Sequence, residues 1–343
     1  MNRLAKIRSS FGIKRRKESH VTGWRLPLIA GVAFLSICVA SPLFGQTTPQ
    51  QKLTEAYRLE REGKPGPAIT QLESLLDSKS LDPAGIGKAW NVLGLAFEDQ
   101  GDFSASRHAF EQSVQAYEGV PNDTTDFAMA LDDFGELYVA AGQPDLAIRM
   151  MERALQLYEA AQNHAGIARA SGDLAGTLFT QKKIREGRKD LDRAVKESRL
   201  TSDLDDDDLA TLASLQGWLA QCDGDLSASI SKYQQSLDLL RRYHGEEHSS
   251  AGWGYVLLGQ VHAEAGDLNE SLTEMAKGLA ILGRTLNSHD PRFLSAEIAY
   301  SHVLDKAGKH SEAASIKANA EGQLKTFRDT HCLGCTVSAE TFR

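Results

Sequence analysis

The sequence predicts an all-α solenoid of about seven antiparallel helical hairpins, and three observations carry that expectation. Helix-ending residues recur at a nearly fixed period: Gly63, Gly101, Gly142, Lys182, Gly224, Gly266 and Gly308 are separated by 38, 41, 40, 42, 42 and 42 residues. Glycine enters the left-handed turn that ends a helix at little cost, and repetition at this length marks stacked hairpins. Beyond the first 45 residues, Pro49, Pro65, Pro67, Pro83, Pro121, Pro144 and Pro291 all fall at expected helix boundaries. Inside a helix each would cost about 3 kcal/mol. Small residues recur in pairs at one spacing: Gly94/Ser106, Gly135/Ala147, Ala175/Gly187, Gly217/Ser229 and Gly259/Ser271. Two helices that cross closely need a small residue at the contact, and large residues at i, i+3, i+4 and i+7 then fill the space between hairpins.

The elements follow in order. The first hairpin, about 50–78, is degenerate, with Lys52 and Glu55 where large apolar residues belong. The second carries Trp90, Leu93, Gly94 and Phe97 before Gly101, then Ser106 and Phe110. The third carries Leu131, Phe134, Gly135 and Tyr138, then Ala147, Met151 and Ala154. Leu174, Ala175, Leu178, Gly187 and Leu191 mark the fourth; Gly217, Ala220, Ser229 and Tyr233 the fifth. Tyr255, Leu258, Gly259, Ser271 and Met275 mark the sixth; Tyr300, Ser301, Leu304, Ala313 and Ala320 the seventh. Lys317 is polar where its counterparts are Phe, Met or Tyr, as expected of a cap with one solvent-facing side. The repeat core is expected to comprise Trp90, Leu93, Gly94, Phe97, Phe134, Gly135, Tyr138, Ala147, Gly217, Tyr233, Leu258 and Gly259.

This pattern resembles the tetratricopeptide repeat, whose first helix carries W-x2-L-G-x2-Y and whose second helix begins with a small residue. The spacing of about 42 residues is longer than the usual 34 and is similar to the kinesin-light-chain type of repeat. The junctions Tyr243-His244-Gly245-Glu246-Glu247-His248 and Leu286-Asn287-Ser288-His289-Asp290-Pro291 resemble that family's linker. The resemblance covers about residues 50–325. It implies a right-handed superhelix and an adaptor that works by protein contacts, and names neither a motor partner nor a cargo.

The N-terminus differs from the rest. Residues 1–25 hold eight basic residues and one acidic, Glu18, and an uncharged run follows from Leu26 to Ala40. A basic segment, an apolar segment and small residues at Cys38 and Ala40 describe an export signal, cleaved after Ala40 or Gly45. Counted on to Phe44 the apolar run is 19 residues, so the alternative is residues 26–44 as an uncleaved membrane tether, which would make the chain a membrane-anchored sensor or assembly factor working through the same repeats. In either case the positive-inside bias places residues 46–343 outside the cytoplasm, periplasmic or secreted. Neither a twin-arginine nor a lipoprotein signal fits. The organisation expected is 1–45 signal or anchor, 46–326 repeat array, and 327–343 tail.

Composition narrows the function. With 41% hydrophobic and 24% charged residues the chain can bury a core. The net charge is −8, of which residues 1–25 contribute +7, leaving −15 on the body. Such a body repels phosphate backbones, so no nucleic acid is expected as a partner. His244, Glu247 and His248 match the inverted zinc-protease pattern H-x-x-E-H, but Gly245 interrupts it and a linker is due there, so a metallopeptidase is the remote alternative. Cys332 and Cys335 form one C-x-x-C without a redox-fold context, read as a local disulfide or a free pair. The acidic run Asp203 to Asp208 lacks the Gly and Glu of a calcium loop and sits where it favours the positive end of a helix. No P-loop, nucleophile elbow or dinucleotide fingerprint is present. No cofactor, no metal and no catalytic residue are expected; the chain is read as a non-enzyme.

The resemblance also implies a concave surface lined by the first helix of each hairpin. Its usual groove positions fall here on Asn91, Leu95 and Glu98; Asp132 and Glu136; Ser214, Trp218 and Gln221; Trp253, Val256 and Gln260; His302 and Asp305. The Lys/Asn pattern that clamps a peptide carboxylate is missing, so the ligand expected is a protein or peptide segment other than a C-terminal carboxylate. Trp218 and Trp253 either anchor it, as tryptophan does at interface hot spots, or pack between repeats.

Overall fold

A computed structural model describes residues 47–118, 120 and 124–330. Residues 1–46, and with them the expected signal or tether, lie outside the described residues, as do Pro121, Cys332 and Cys335. Fourteen helices and no strand are present among the described residues. They pair as α1 (Pro49–Arg61) with α2 (Pro65–Asp77), α3 (Pro83–Asp99) with α4 (Phe103–Glu118), and α5 (Thr124–Ala140) with α6 (Pro144–Ala160). Then come α7 (His164–Thr180) with α8 (Ile184–Ser198), α9 (Asp206–Cys222) with α10 (Leu226–Tyr243), α11 (Ser249–Ala265) with α12 (Leu268–Thr285), and α13 (Pro291–Lys306) with α14 (His310–Thr330).

The turns explain the boundaries. Pro49, Pro65, Pro83, Pro144 and Pro291 each open a helix, where the missing N–H is no loss. The glycines that close the first helices adopt positive φ, from +68° at Gly63 to +95° at Gly266; in the fourth hairpin Lys182 takes that place at +62°. A side chain there costs about 1 kcal/mol, and the period is kept in spite of it.

Each even helix packs on the odd helix before it, and α2 to α12 also pack on the odd helix after. Odd helices also touch the next odd helix from α1 to α9, and α11 touches α13; α10 bridges α9 and α11 between the two rows. The crossings need their small residues. A Cβ on Gly94 would stand 2.8 Å from the fully buried Phe110 ring, and one on Gly135 2.9 Å from Met151 and 3.3 Å from the Ala147 carbonyl. Around these crossings lie the expected core residues Leu93, Phe134, Tyr138, Ala147, Tyr233 and Leu258, all buried, together with Gly217 and Gly259. Trp90 and Phe97 are a correction: they pack on this core from its edge and are half-buried. Trp90 meets the His108 ring edge-on at 6.1 Å and keeps one side toward solvent. At the far end α14 runs to Thr330, past the expected array boundary at 326. Its Phe327 meets Phe103 of the second hairpin at 5.5 Å, edge to face.

Candidate functional site

The odd helices line a cavity of about 770 Å³. It is closed by contacts that sequence period does not reveal. Arg61, at the end of α1, donates to Asp205 at 3.1 Å and lies 4.8 Å from the centre of the Tyr243 ring. Tyr243 in turn donates to Asp205 at 2.6 Å. The first hairpin thus meets the fifth, 144 positions along the chain.

The acidic run supplies this junction. Asp205 caps α9, with Asp208 completing a reciprocal capping box, as the run's position in the sequence implies. Each of four acids also has a tertiary partner: Asp205 with Arg61, Asp206 with Arg242 at 3.0 Å, Asp207 with His244 at 2.9 Å, and Asp208 with Arg169 through two bonds of 2.8 and 3.0 Å.

The H-x-x-E-H segment is a linker. His244 ends α10, and His248 caps α11, accepting from the Ser250 amide at 3.2 Å. The two rings stack at 4.1 Å, and Glu247 pairs with Arg284. Burial, reinforced by neighbouring His244, pulls the His248 pKa down to about 4. The imidazoles flank a linker between two helices and lie parallel, which is not the arrangement of an inverted zinc-protease helix. Among the described residues no group of three or more His, Cys, Asp or Glu is placed to hold a metal ion.

The cavity wall carries ten carboxylates against five Arg and Lys side chains. Its floor is built by α3, α5 and α7. Asn91 donates to Asp133 at 2.6 Å. Glu136, one turn on, reaches the solvent of the cavity although protein surrounds it, and Asp173 faces it from α7. Asp132, 2% exposed, lies just behind the lining, and neither of its oxygens has a hydrogen-bond partner. Burial is the main cause that raises the pKa of all four acids. Asp133 reaches about 6; Asp132, Glu136 and Asp173 are held well above the usual range, each further raised by its acidic neighbours.

A second cavity of about 310 Å³ shares Asp207, Thr211, Ser249, Ser250, Leu286 and Arg292 with the first, so the two adjoin. Trp253, Leu240, Leu257 and Leu282 make it apolar, and Ser214 completes its wall.

Of the expected groove residues, Asn91, Leu95, Glu136, Ser214 and Trp253 line these cavities. Trp218 lines neither. It stacks on Phe179 at 4.6 Å, between the fourth and fifth hairpins. Val256 is in the core, Gln221 accepts from the Tyr233 hydroxyl at 3.2 Å, and Gln260 is half-buried away from both cavities. His302 is exposed on α13, and Asp305 pairs with His310 at 2.7 Å. The residues that sequence reasoning missed are Asp133, Asp173 and Arg169. The spacing of 42 between Asn91 and Asp133, one repeat period, is the signal that relates Asp133 to an expected groove position.

A tetratricopeptide-repeat family model matches residues 85–160. No curated protein matches the sequence. Among solved structures, a Rap protein complexed with competence and sporulation factor aligns with 82% of this chain and 99% of its own length, at 12% identity and a TM-score of 0.56. The Rap conjugation gene regulator of plasmid pLS20, in complex with the Phr* peptide, aligns with 84% and 99% at 12% identity and 0.56. The Cut9–Hcn1 assembly of the APC/C aligns with 81% of this chain at 16% identity and 0.58, and the match spans 48% of that chain. At such identities the likeness is one of fold. Residues 85–160 thus carry tetratricopeptide repeats, and the same helical hairpin recurs from Pro49 to Thr330.

Proposed function

We propose that this protein is a non-catalytic adaptor that holds an extended peptide segment of a partner in the cavity along its odd helices. One observation carries the reading: the acidic cavity and the apolar pocket at Trp253 adjoin, sharing six wall residues, and together reach from the first to the seventh hairpin. A peptide laid along them meets polar groups at one end and an apolar anchor site at the other, the combination typical of peptide grooves. Two proteins of similar fold are in complex with a factor or peptide, which supports a peptide as ligand class. The negative floor disfavours a C-terminal carboxylate and a nucleic-acid backbone. The basic stretch 1–25 followed by Leu26–Ala40 supports work outside the cytoplasm, with residues 46–343 as the exported part. A fusion of the full chain to a reporter active only after export should be active, and deletion of residues 1–45 should silence it.

Photo-crosslinking tests the adaptor reading. A photoreactive side chain at Thr211, which borders both cavities, should capture one discrete segment in the native host. The same group at Gln234, exposed on α10 and bordering neither, should not. Equal labelling at both positions, or none at Thr211, refutes it.

A further inference from the structure

We propose that the floor formed by Asn91, Asp133, Glu136 and Asp173 is a subsite for a cationic side chain, guanidinium or ammonium, of the bound peptide. The inference rests on the reading of the cavity as a peptide groove and adds what the groove selects.

The floor holds acceptors and lacks donors. Asn91 is 2% exposed and lines the cavity; its Nδ2 is committed to Asp133 and its Oδ1 has no hydrogen-bond partner. The Asp173 Oδ2 has none either, and Asp132 behind it leaves both oxygens unpaired. A buried acceptor without a donor costs about 1–3 kcal/mol, and more for a charged one. Arg169 on α7 lowers the repulsion among these acids, while its Nε and Nη2 donate to Asp208. Glu98 of α3 adds further negative charge, and burial together with Asp99 raises its own pKa to about 7 in spite of Arg292. The floor therefore needs hydrogen-bond donors that bring positive charge. No group of three or more ligands is placed for a metal ion among the described residues. A guanidinium offers five donors in a plane and an ammonium three, and either can serve several acceptors at once.

Burial and mutual repulsion raise the pKa of these carboxyls above the usual carboxylate range. Seating a cation favours the charged carboxylates, so binding releases protons and tightens as pH rises.

The test uses the full chain with acetylated, amidated tetra-arginine, tetra-citrulline as its neutral counterpart, and spermine, followed by titration calorimetry at physiological salt. Tetra-arginine should bind and tetra-citrulline should not. The Glu136→Gln/Asp173→Asn double variant should weaken tetra-arginine at least tenfold. Glu118→Gln/Glu159→Gln, which removes the same charge from exposed sites, should leave binding within twofold. Circular dichroism separates lost contact from lost fold. In the parent protein alone, calorimetry in buffers of different ionisation heat should reveal proton release. Equal weakening in both double variants, no weakening in the cavity variant, or no proton release overturns the proposal. Binding of spermine without tetra-arginine also overturns it, because the site would then take small polycations. If Thr211 captures a segment that lacks a basic residue, the adaptor reading stands and this inference fails. If tetra-arginine binds as stated while Thr211 captures nothing, the adaptor reading fails and the cation subsite stands.

Discussion

Asp133→Asn isolates the energetic burden of the acidic floor. The exchange is isosteric, and the new amide oxygen still accepts from Asn91 Nδ2. Burial raises the Asp133 pKa from 3.8 to about 6, so the folded protein holds that proton more tightly than the unfolded chain does. The carboxyl is therefore no burden below its unfolded pKa, and its contribution to stability is lost as pH rises from about 4 through about 6. At about 1.4 kcal/mol per pKa unit the ceiling is about 3 kcal/mol, and water in the cavity reduces it to about 1–3 kcal/mol. His248 works in the opposite direction. Its pKa is depressed to about 4, so stability is lost as pH falls from 6.5 toward 4. Because His248 is the same in both proteins, it cancels in the difference. Urea unfolding followed by far-ultraviolet dichroism should show the variant and parent equal near pH 4 and the variant more stable by about 1–3 kcal/mol near pH 8. A repeat array need not unfold in one step, so midpoints at matched pH are the quantity to compare. A difference that does not change with pH would refute the reasoning.

Other substitutions test the frame. Lys182→Gly relieves a side chain held at φ +62° and should raise stability by about 0.5–1 kcal/mol; an unchanged or lower melting temperature counts against that turn. Gly94→Ala drives a methyl to 2.8 Å from the Phe110 ring and should cost about 1–3 kcal/mol by thermal melt, with no cost meaning that α3 and α4 cross elsewhere. Trp218→Ala removes the stack on Phe179 and should cost about 3–5 kcal/mol. Trp253→Ala should instead reduce capture at Thr211 with helical content kept; if both tryptophans affect only stability, the apolar pocket is not a ligand site.

The hairpins were legible because their determinants are local. Gly63, Gly101, Gly142, Gly224, Gly266 and Gly308 take the left-handed conformation that their spacing implies, and Lys182 does so without being glycine. Small residues opposite Phe110 and Met151 could be found by period alone, since a crossing repeats with the hairpin. The site was harder to read. Successive residues of a helix point about 100° apart. The repeat register favoured Asp132 for the groove, while the packing of α5 against α3 and α7 turns Asp133 inward and leaves Asp132 behind the wall. The same geometry puts Trp218 against Phe179 and Trp253 into the pocket, although the groove positions expected from the repeat include both.

The contact between Arg61 and Asp205 lay furthest from view, because repeat period relates neighbours and says nothing of residues 144 apart. Its physical consequence reaches the floor. An open solenoid would leave Asp133 and Glu136 in bulk water, where charges separated by more than about 10 Å are screened and carboxylates ionise normally. Contact between the first and fifth hairpins borders the cavity that both acids line, and burial is the largest cause of their raised pKa. The acidic run at 203–208 thus acts twice, capping α9 and drawing α1 across the cavity. Loss of Arg61 should therefore return Asp133 toward its usual pKa. An Arg61→Ala protein whose difference from its Asp133→Asn derivative is less pH-dependent than in the parent would carry that signature, and an unchanged pH dependence would show that the floor is buried by the odd helices alone.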